Sequence, residues 1–182
     1  PRSSSAASDV YKRQKYTFIH PFDDYSVIAG QGSIACELES QLQKPLDKLL
    51  IPVGGGGLIS GISFFAKKNG GIASTIIGAE PETARDATDS FYSKTHVTDY
   101  KPMTIADGLR ATLGVKNFEI ILKNVDEFIT ATESEIIAAM KIIWSRLKVI
   151  VEPSAAVPLA AILNKPEYFK NCLLYTSPSP RD

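Results

Sequence analysis

The residues whose type and spacing most plainly suggest chemistry are Gly54, Gly55, Gly56 and Gly57. They form an unbroken run between the apolar stretch Leu49–Val53 and a second apolar stretch that begins at Leu58. Glycine loses more conformational freedom on folding than any other residue, so a plain turn rarely uses so many in succession. Without side chains, consecutive backbone N–H groups can turn to one side and hold anionic oxygens at the positive end of a helix starting near Leu58. The run therefore predicts an anion site. The alternative is a flexible strand-to-helix connection, for which one or two glycines suffice. A nucleoside triphosphate loop requires Lys-Ser or Lys-Thr after its last glycine, and Leu58-Ile59-Ser60 stands there instead. A dinucleotide site requires a third glycine, where Ile59 stands, and an acid about 20 residues further on, a place that Glu80 fills. Glu80 keeps a nicotinamide dinucleotide open as an alternative, and Ile59 weakens it. A single phosphate monoester needs only the loop and the helix dipole.

Other reactive side chains form no pattern. Cys36 and Cys172 lack CxxC or CxxH spacing, which argues against a disulfide framework or a zinc site and fits a reducing, cytoplasmic setting. His20, next to Pro21, reads as structural, and His96, in a polar stretch, as solvent-facing.

Positioning these groups falls to a strand over Leu49, Leu50, Ile51 and Val53, then a helix carrying Leu58, Ile59, Ile62, Phe64 and Phe65 that stops at Asn69-Gly70-Gly71. A second strand follows at Ile72–Ala79. Such a β-α-β unit makes a parallel pair and needs both sheet faces covered. A helix is expected upstream over Ile34–Leu42. Phe128–Ala131 reads as a strand entering Thr132-Glu133-Ser134-Glu135, a capping box that fixes a helix start. Ile136, Met140, Ile143, Trp144 and Leu147 share one face of that helix. Val149–Val151 reads as another strand. Glu152-Pro153-Ser154 opens a last helix through Leu163, with Pro153 in a first-turn position and Pro158 blurring the boundary. The alternation defines an open α/β domain.

Lysine plus arginine balance aspartate plus glutamate at 20 each, so no field draws nucleic acid or a membrane surface. No apolar run approaches the roughly 20 residues that a membrane-spanning helix needs. The 182 residues suffice for one core, or one core and part of a second. Both ends differ in composition. Residues 1–14 (PRSSSAASDVYKRQ) are rich in serine, alanine and charge, and residues 172–182 (CLLYTSPSPRD) turn abruptly into Ser-Pro repeats. Both read as non-native or disordered tails, of cloning or sequencing origin, which leaves 15–171 as the domain.

Within that domain the strings HPFDDYSVIAGQGSIACEL (20–38), LLIPVGGGGLISG (49–61), GAEP (78–81), TIADGLR (104–110) and VEPSAAVPLAA (151–161) follow one another. In order and spacing they resemble successive blocks of the fold-type II pyridoxal-phosphate enzymes, the threonine/serine dehydratase and serine racemase family. The four-glycine and AGQG blocks are the most specific. The resemblance covers essentially all of 15–171. It implies a truncated, open, mainly parallel sheet with helices on both faces, the tryptophan synthase beta-like fold, as the C-terminal part of a longer enzyme.

The resemblance also implies roles. Gly54, Gly55, Gly56, Gly57 and the Leu58 amide match the positions that hold the phosphate of pyridoxal 5'-phosphate, which agrees with the reading from the residues alone. Gly108 matches a position beside the cofactor ring, its alternative being an ordinary turn glycine after Asp107. Glu152 resembles a glutamate near the cofactor pyridine, its alternative being a first-turn acid. Glu80, Ala84 and Asp86 match the two carboxylates and one carbonyl that bind a divalent cation in the racemase-like branch. Mg2+ or Ca2+ prefers such oxygen ligands, while solvated charges at a strand end and a helix start are the alternative. The Schiff-base lysine of the family lies in an N-terminal Ser-x-Lys-x-Arg-Gly block that this sequence does not contain, so no catalytic residue is assigned and the fragment is expected to be inactive. For the whole enzyme the family implies a homo-oligomer acting on a small hydroxy amino acid. Loss of water and ammonia would give a 2-keto acid, and serine racemase or hydroxyaspartate dehydratase activity is the alternative within the family. Phe22 stands where mammalian-type racemases carry a polar amide, which favours a threonine or serine dehydratase. A non-catalytic ligand-binding module is a third possibility.

Overall fold

The apolar runs on either side of the glycines become the two central strands of a parallel sheet. The computed structural model describes residues 18–68 and 71–176. In chain order its elements are α1 (Tyr25–Gln31), α2 (Ser33–Gln41), β1 (Leu46–Pro52), α3 (Gly57–Lys68), β2 (Ala73–Pro81), α4 (Asp86–Ser93), α5 (Val115–Asn124), β3 (Glu127–Ala131), α6 (Glu133–Leu147), α7 (Pro153–Asn164) and β4 (Leu174–Thr176). Short 3-10 turns cover Glu82–Ala84 and Asp107–Leu109. The strand order is β3-β2-β1-β4, and every pairing is parallel, with β1 and β2 in register from Leu46↔Ala73 to Pro52↔Ala79.

Side-chain alternation along the strands splits the core in two. Leu49 and Ile51 of β1, Ile76 of β2 and Phe128 of β3 pack under α2, α3, α4 and α5. Leu50, Ile77, Ala79, Ile129 and Ala131 face α6 and α7 on the other side. Helices therefore cover both faces, as a buried parallel sheet requires. Among the described residues no helix is long and apolar enough to cross a membrane.

Local chemistry sets the helix starts. Asp24 caps α1 by accepting from the Ser26 amide at 2.8 Å. The capping box at α6 is complete, with Thr132 Oγ1 accepting from the Glu135 amide and Glu135 Oε2 accepting from the Thr132 amide. Pro153 opens α7, and the helix runs on through Pro158, which supplies no amide to the Ser154 carbonyl.

Three expectations need correction. The apolar face of α6 is covered as far as Ile143: Ile136 is buried and Met140 and Ile143 pack against the core, but Trp144 and Leu147 are 66% and 68% exposed. The left-handed Lys148 ends that helix, and Val149–Val151 forms no strand, with Ile150 87% exposed. The fold does not stop at residue 171 either. Leu174–Thr176 is β4, paired with β1 from Lys48↔Leu174 to Leu50↔Thr176 and fixed by Leu173 N donating to Asp47 Oδ2 at 2.7 Å. A strand of three residues is too short to show a period, which is why composition misplaces it. Of the expected tails at 1–14 and 172–182, all of the first and residues 177–182 of the second lie outside the described residues.

Candidate active site

The site lies where β1 hands the chain to α3. Val53 still donates its amide to Ala79 O of β2 at 3.0 Å, and the next residue leaves the sheet. Gly56 adopts φ +88°, a conformation side chains rarely take. Gly55 is required by crowding, because a Cβ there would lie 2.4 Å from the Phe22 ring. The chain then winds into α3, whose first paired amide is Ser60, donating to Gly56 O at 3.0 Å. Among the described residues the amides of Gly54, Gly55, Gly56, Gly57 and Leu58 have no acceptor. They are the orphan donors of a helix start, extended backward along a loop without side chains. The five residues line one cavity of about 300 Å³ together with Phe22, Gly108 and Leu109, and none of its described lining residues is charged. Such a cradle can neutralise an anion through amide dipoles and the helix field alone.

The wall opposite the glycines is the HPFDD segment, which is fastened at several points. His20 Nδ1 accepts from the Asp23 amide at 2.9 Å, a structural role. Asp23 Oδ1 accepts from the Lys116 amide at 2.9 Å, and Lys116 Nζ donates to Asp23 O at 2.9 Å. The fully buried Asn117 donates from Nδ2 to Phe22 O at 2.9 Å and to Gly55 O at 2.8 Å.

Gly108 brings the start of α7 to the cavity. Its amide donates to Ser154 Oγ at 3.1 Å, and a Cβ on it would lie 2.7 Å from that oxygen and 3.4 Å from Glu152 Oε1. Glu152 is the N-cap of α7 but makes no side-chain capping bond, and its buried Oε1 has no partner among the described residues. A buried carboxylate oxygen that the fold does not use, beside a cavity lined with free amides, suits a polar aromatic ligand carrying a phosphate.

Glu80, Ala84 and Asp86 are all buried together behind the end of β2. Glu80 Oε2 accepts from the Thr88 amide and hydroxyl at 2.7 and 2.6 Å, and Oε1 from the Ala87 amide at 3.2 Å. Asp86 Oδ2 accepts from the Leu113 amide at 2.7 Å. Burial pushes the Glu80 carboxyl well above the usual glutamate range, and the Asp86 charge adds to this against the hydrogen bonds from Thr88 and Ala87. Burial also raises Asp86, against the Leu113 hydrogen bond. A close pair of desolvated carboxyls suits a hard cation, although among the described residues no cluster of three or more His, Cys, Asp or Glu side chains is placed to hold a metal. The dinucleotide alternative fails here, because a Glu80 turned onto α4 and 0% exposed cannot reach a ribose. His96 also departs from expectation. It is half-buried, stacked on Phe118, with Nε2 2.7 Å from Leu113 O.

The structure thus gathers Gly54–Leu58, Gly108 and Glu152 at one place and Glu80, Ala84 and Asp86 at another. Sequence reasoning missed Asn117, Ser154 and the Asp23–Lys116 clamp. Ser154 was visible only as part of the VEPSAAV string. Asn117 carries no sequence signal, since its partners lie far off in the chain.

Comparison with known proteins identifies the family. The model of the pyridoxal-phosphate dependent enzyme family matches residues 2–172. The chain is 46% identical to serine racemase of Dictyostelium discoideum over 165 residues, covering 88% of this chain and 50% of that protein. It is 43% identical to beta-hydroxyaspartate dehydratase of Paracoccus denitrificans (strain Pd 1222), covering 93% of this chain and 54% of the relative. Threonine deaminase isoform 2 from Solanum lycopersicum superposes with a TM-score of 0.89 at 32% identity, covering 98% of this chain and 50% of that one. The chain spans about half the length of the curated relatives it matches. With the family matched over nearly its whole length, and a glycine cradle of the kind a phosphorylated cofactor needs, the chain belongs to the pyridoxal-phosphate dependent enzymes.

Proposed function

We propose that this chain forms the phosphate-binding part of a pyridoxal-phosphate dependent ammonia-lyase that removes water and ammonia from threonine or serine to give a 2-keto acid. The observation that carries the reading is the row of amides from Gly54 to Leu58, without acceptors among the described residues, around a cavity whose described lining carries no charge. In this reading those amides hold the cofactor phosphate, Gly108 lies beside the ring, and the unpaired Glu152 Oε1 is the polar group near the pyridine. When bound, the cofactor withdraws electrons from the substrate α-carbon and so acidifies its proton. The chain's own residues bind and orient: the α3 dipole offsets phosphate charge, and Phe22 and Leu109 keep water from that end of the cavity.

No Ser-x-Lys-x-Arg-Gly block occurs in this sequence, so the chain alone is proposed to be inactive. A divalent cation at Glu80, Asp86 and the Ala84 carbonyl belongs to the same proposal, supported by the two desolvated carboxyls. So do a homo-oligomeric whole enzyme and a cytoplasmic setting. Racemisation of serine is the second reading, favoured by the 46% identity to the Dictyostelium racemase, and the Paracoccus relative adds hydroxyaspartate as a substrate class.

Pyridoxine 5'-phosphate, which lacks the aldehyde and cannot react with surface lysines, tests the reading on the full chain. It is expected to bind saturably and to be displaced by inorganic phosphate, while pyridoxine fails to bind. Equal binding of both would remove the phosphate from the account. Keto-acid release from threonine or serine by the purified chain would overturn the proposed inactivity.

A further inference from the structure

We propose that Asn117 is a positioning residue that locks the peptide plane between Gly55 and Gly56 and thereby aims the Gly56 amide into the phosphate cavity; this rests on the phosphate-binding reading of the glycine run. The Gly55 carbonyl accepts two hydrogen bonds, from Asn117 Nδ2 at 2.8 Å and from the Gly114 amide at 3.0 Å. Both donors belong to the first turn of α5 and its N-cap, and no residue of that turn lines the cavity. In a planar trans peptide the C=O and the N–H point to opposite sides. A Gly55 oxygen drawn toward α5 therefore turns the Gly56 N–H away from α5, and Gly56 lines the cavity.

Such a lock has work to do, because a glycine peptide has no side chain to hinder rotation and the neighbouring amides have no acceptors among the described residues. Asn117 is itself enclosed, although its buried Oδ1 has no hydrogen-bond partner among the described residues. It is 0% exposed, its backbone carbonyl accepts from Ser60 Oγ at 3.4 Å, and its Cβ sits 2.9 Å from where a Gly56 Cβ would stand. The second Nδ2 bond, to Phe22 O at 2.9 Å, ties the facing wall to the same nitrogen. One neutral amide thus spans both walls of the cradle. Serine has a single donor, aspartate has none, and a buried lysine or arginine would cost far more to desolvate.

The test uses the full chain, with inorganic phosphate as the probe. Asn117→Leu keeps the branched shape and removes both donors without adding charge, and Asn117→Ser is the milder variant should the first fail to fold. Two readouts separate the lock from the reading it rests on. The first, made without phosphate, is the orientation of the Gly56 N–H vector from residual dipolar couplings. The second is the phosphate affinity. The lock predicts a changed Gly56 vector and at least a ten-fold weaker affinity, since affinity scales with the fraction of molecules holding the competent conformation. Ile121→Val, in the buried interior of the same helix, is expected to change neither. A folded variant that keeps the wild-type vector overturns the lock, and so does one that binds phosphate as tightly as wild type. A changed vector in a chain whose wild type binds no phosphate upholds the lock and overturns the phosphate reading instead.

Discussion

The same substitution, glycine to alanine, should have opposite effects at two positions of this chain. At Gly56 the backbone holds φ +88°, and an added Cβ would stand 2.6 Å from Leu113 Cδ1 and 2.9 Å from Asn117 Cβ. Forcing a side chain into the left-handed region costs about 1–2 kcal/mol, and overpacking a well-filled interior about 1–3 kcal/mol. Gly56→Ala is therefore expected to lose about 2–5 kcal/mol, a large part of the roughly 5–15 kcal/mol that holds a domain folded. Gly30, inside α1, has no atom within 4 Å of the place a Cβ would take. There alanine removes backbone freedom from the unfolded chain, and Gly30→Ala should gain about 0.5–1 kcal/mol. Urea unfolding followed by far-UV circular dichroism reads both. With a slope of about 2 kcal/mol per molar, Gly56→Ala moves the midpoint down by about 1–2.5 M and Gly30→Ala moves it slightly up. A Gly56→Ala midpoint equal to wild type would refute the strained geometry of the cradle, and with it the requirement for glycine there.

Removing the cap of α6 by Thr132→Ala should lower stability by about 1 kcal/mol in the same unfolding assay, and an unchanged midpoint would show that the box contributes nothing. Glu152→Gln should weaken pyridoxine 5'-phosphate binding by about three-fold or more while leaving inorganic phosphate unaffected, because only the former carries a ring. Equal loss for both ligands would place Glu152 at the phosphate or in the fold. Added Mg2+ or Ca2+ should raise the melting temperature more at about pH 8 than at about pH 5. The raised pKa values of Glu80 and Asp86 favour folding while the groups are protonated, and that contribution is lost as pH rises through them. A cation binds the ionised pair and restores it, so a cation effect that is absent or larger in acid would remove the metal from the proposal.

Much of this was legible because local pattern and tertiary demand agreed. The run Leu49–Val53 is apolar throughout because the strand is buried on both faces, and the Thr132–Glu135 box fixes its helix by bonds within one turn. The glycine run was legible for the same reason, since backbone geometry there excludes side chains. Patterns failed where the outcome depended on what covers an element. Trp144 and Leu147 continue a helical face that the described residues leave exposed, and Val149–Val151 has strand chemistry but, among the described residues, no strand beside it. β4 was missed for the reverse reason, a short segment that acquires structure only from the edge of β1. His96 reads as exposed from its polar neighbours, yet Phe118 and the Leu113 carbonyl, distant in sequence, enclose it. Asn117 belongs to the same class, because its two carbonyl partners lie in segments brought together only by folding.

The account stands most directly on where an added phosphate goes. Titrating inorganic phosphate into the isotopically labelled chain and following every backbone amide by NMR reads this without assuming any activity. The expected result is saturable displacement concentrated on Gly54, Gly55, Gly56, Gly57 and Leu58, whose N–H groups have no acceptor among the described residues. Saturation centred on exposed lysines with those five resonances unmoved would contradict it.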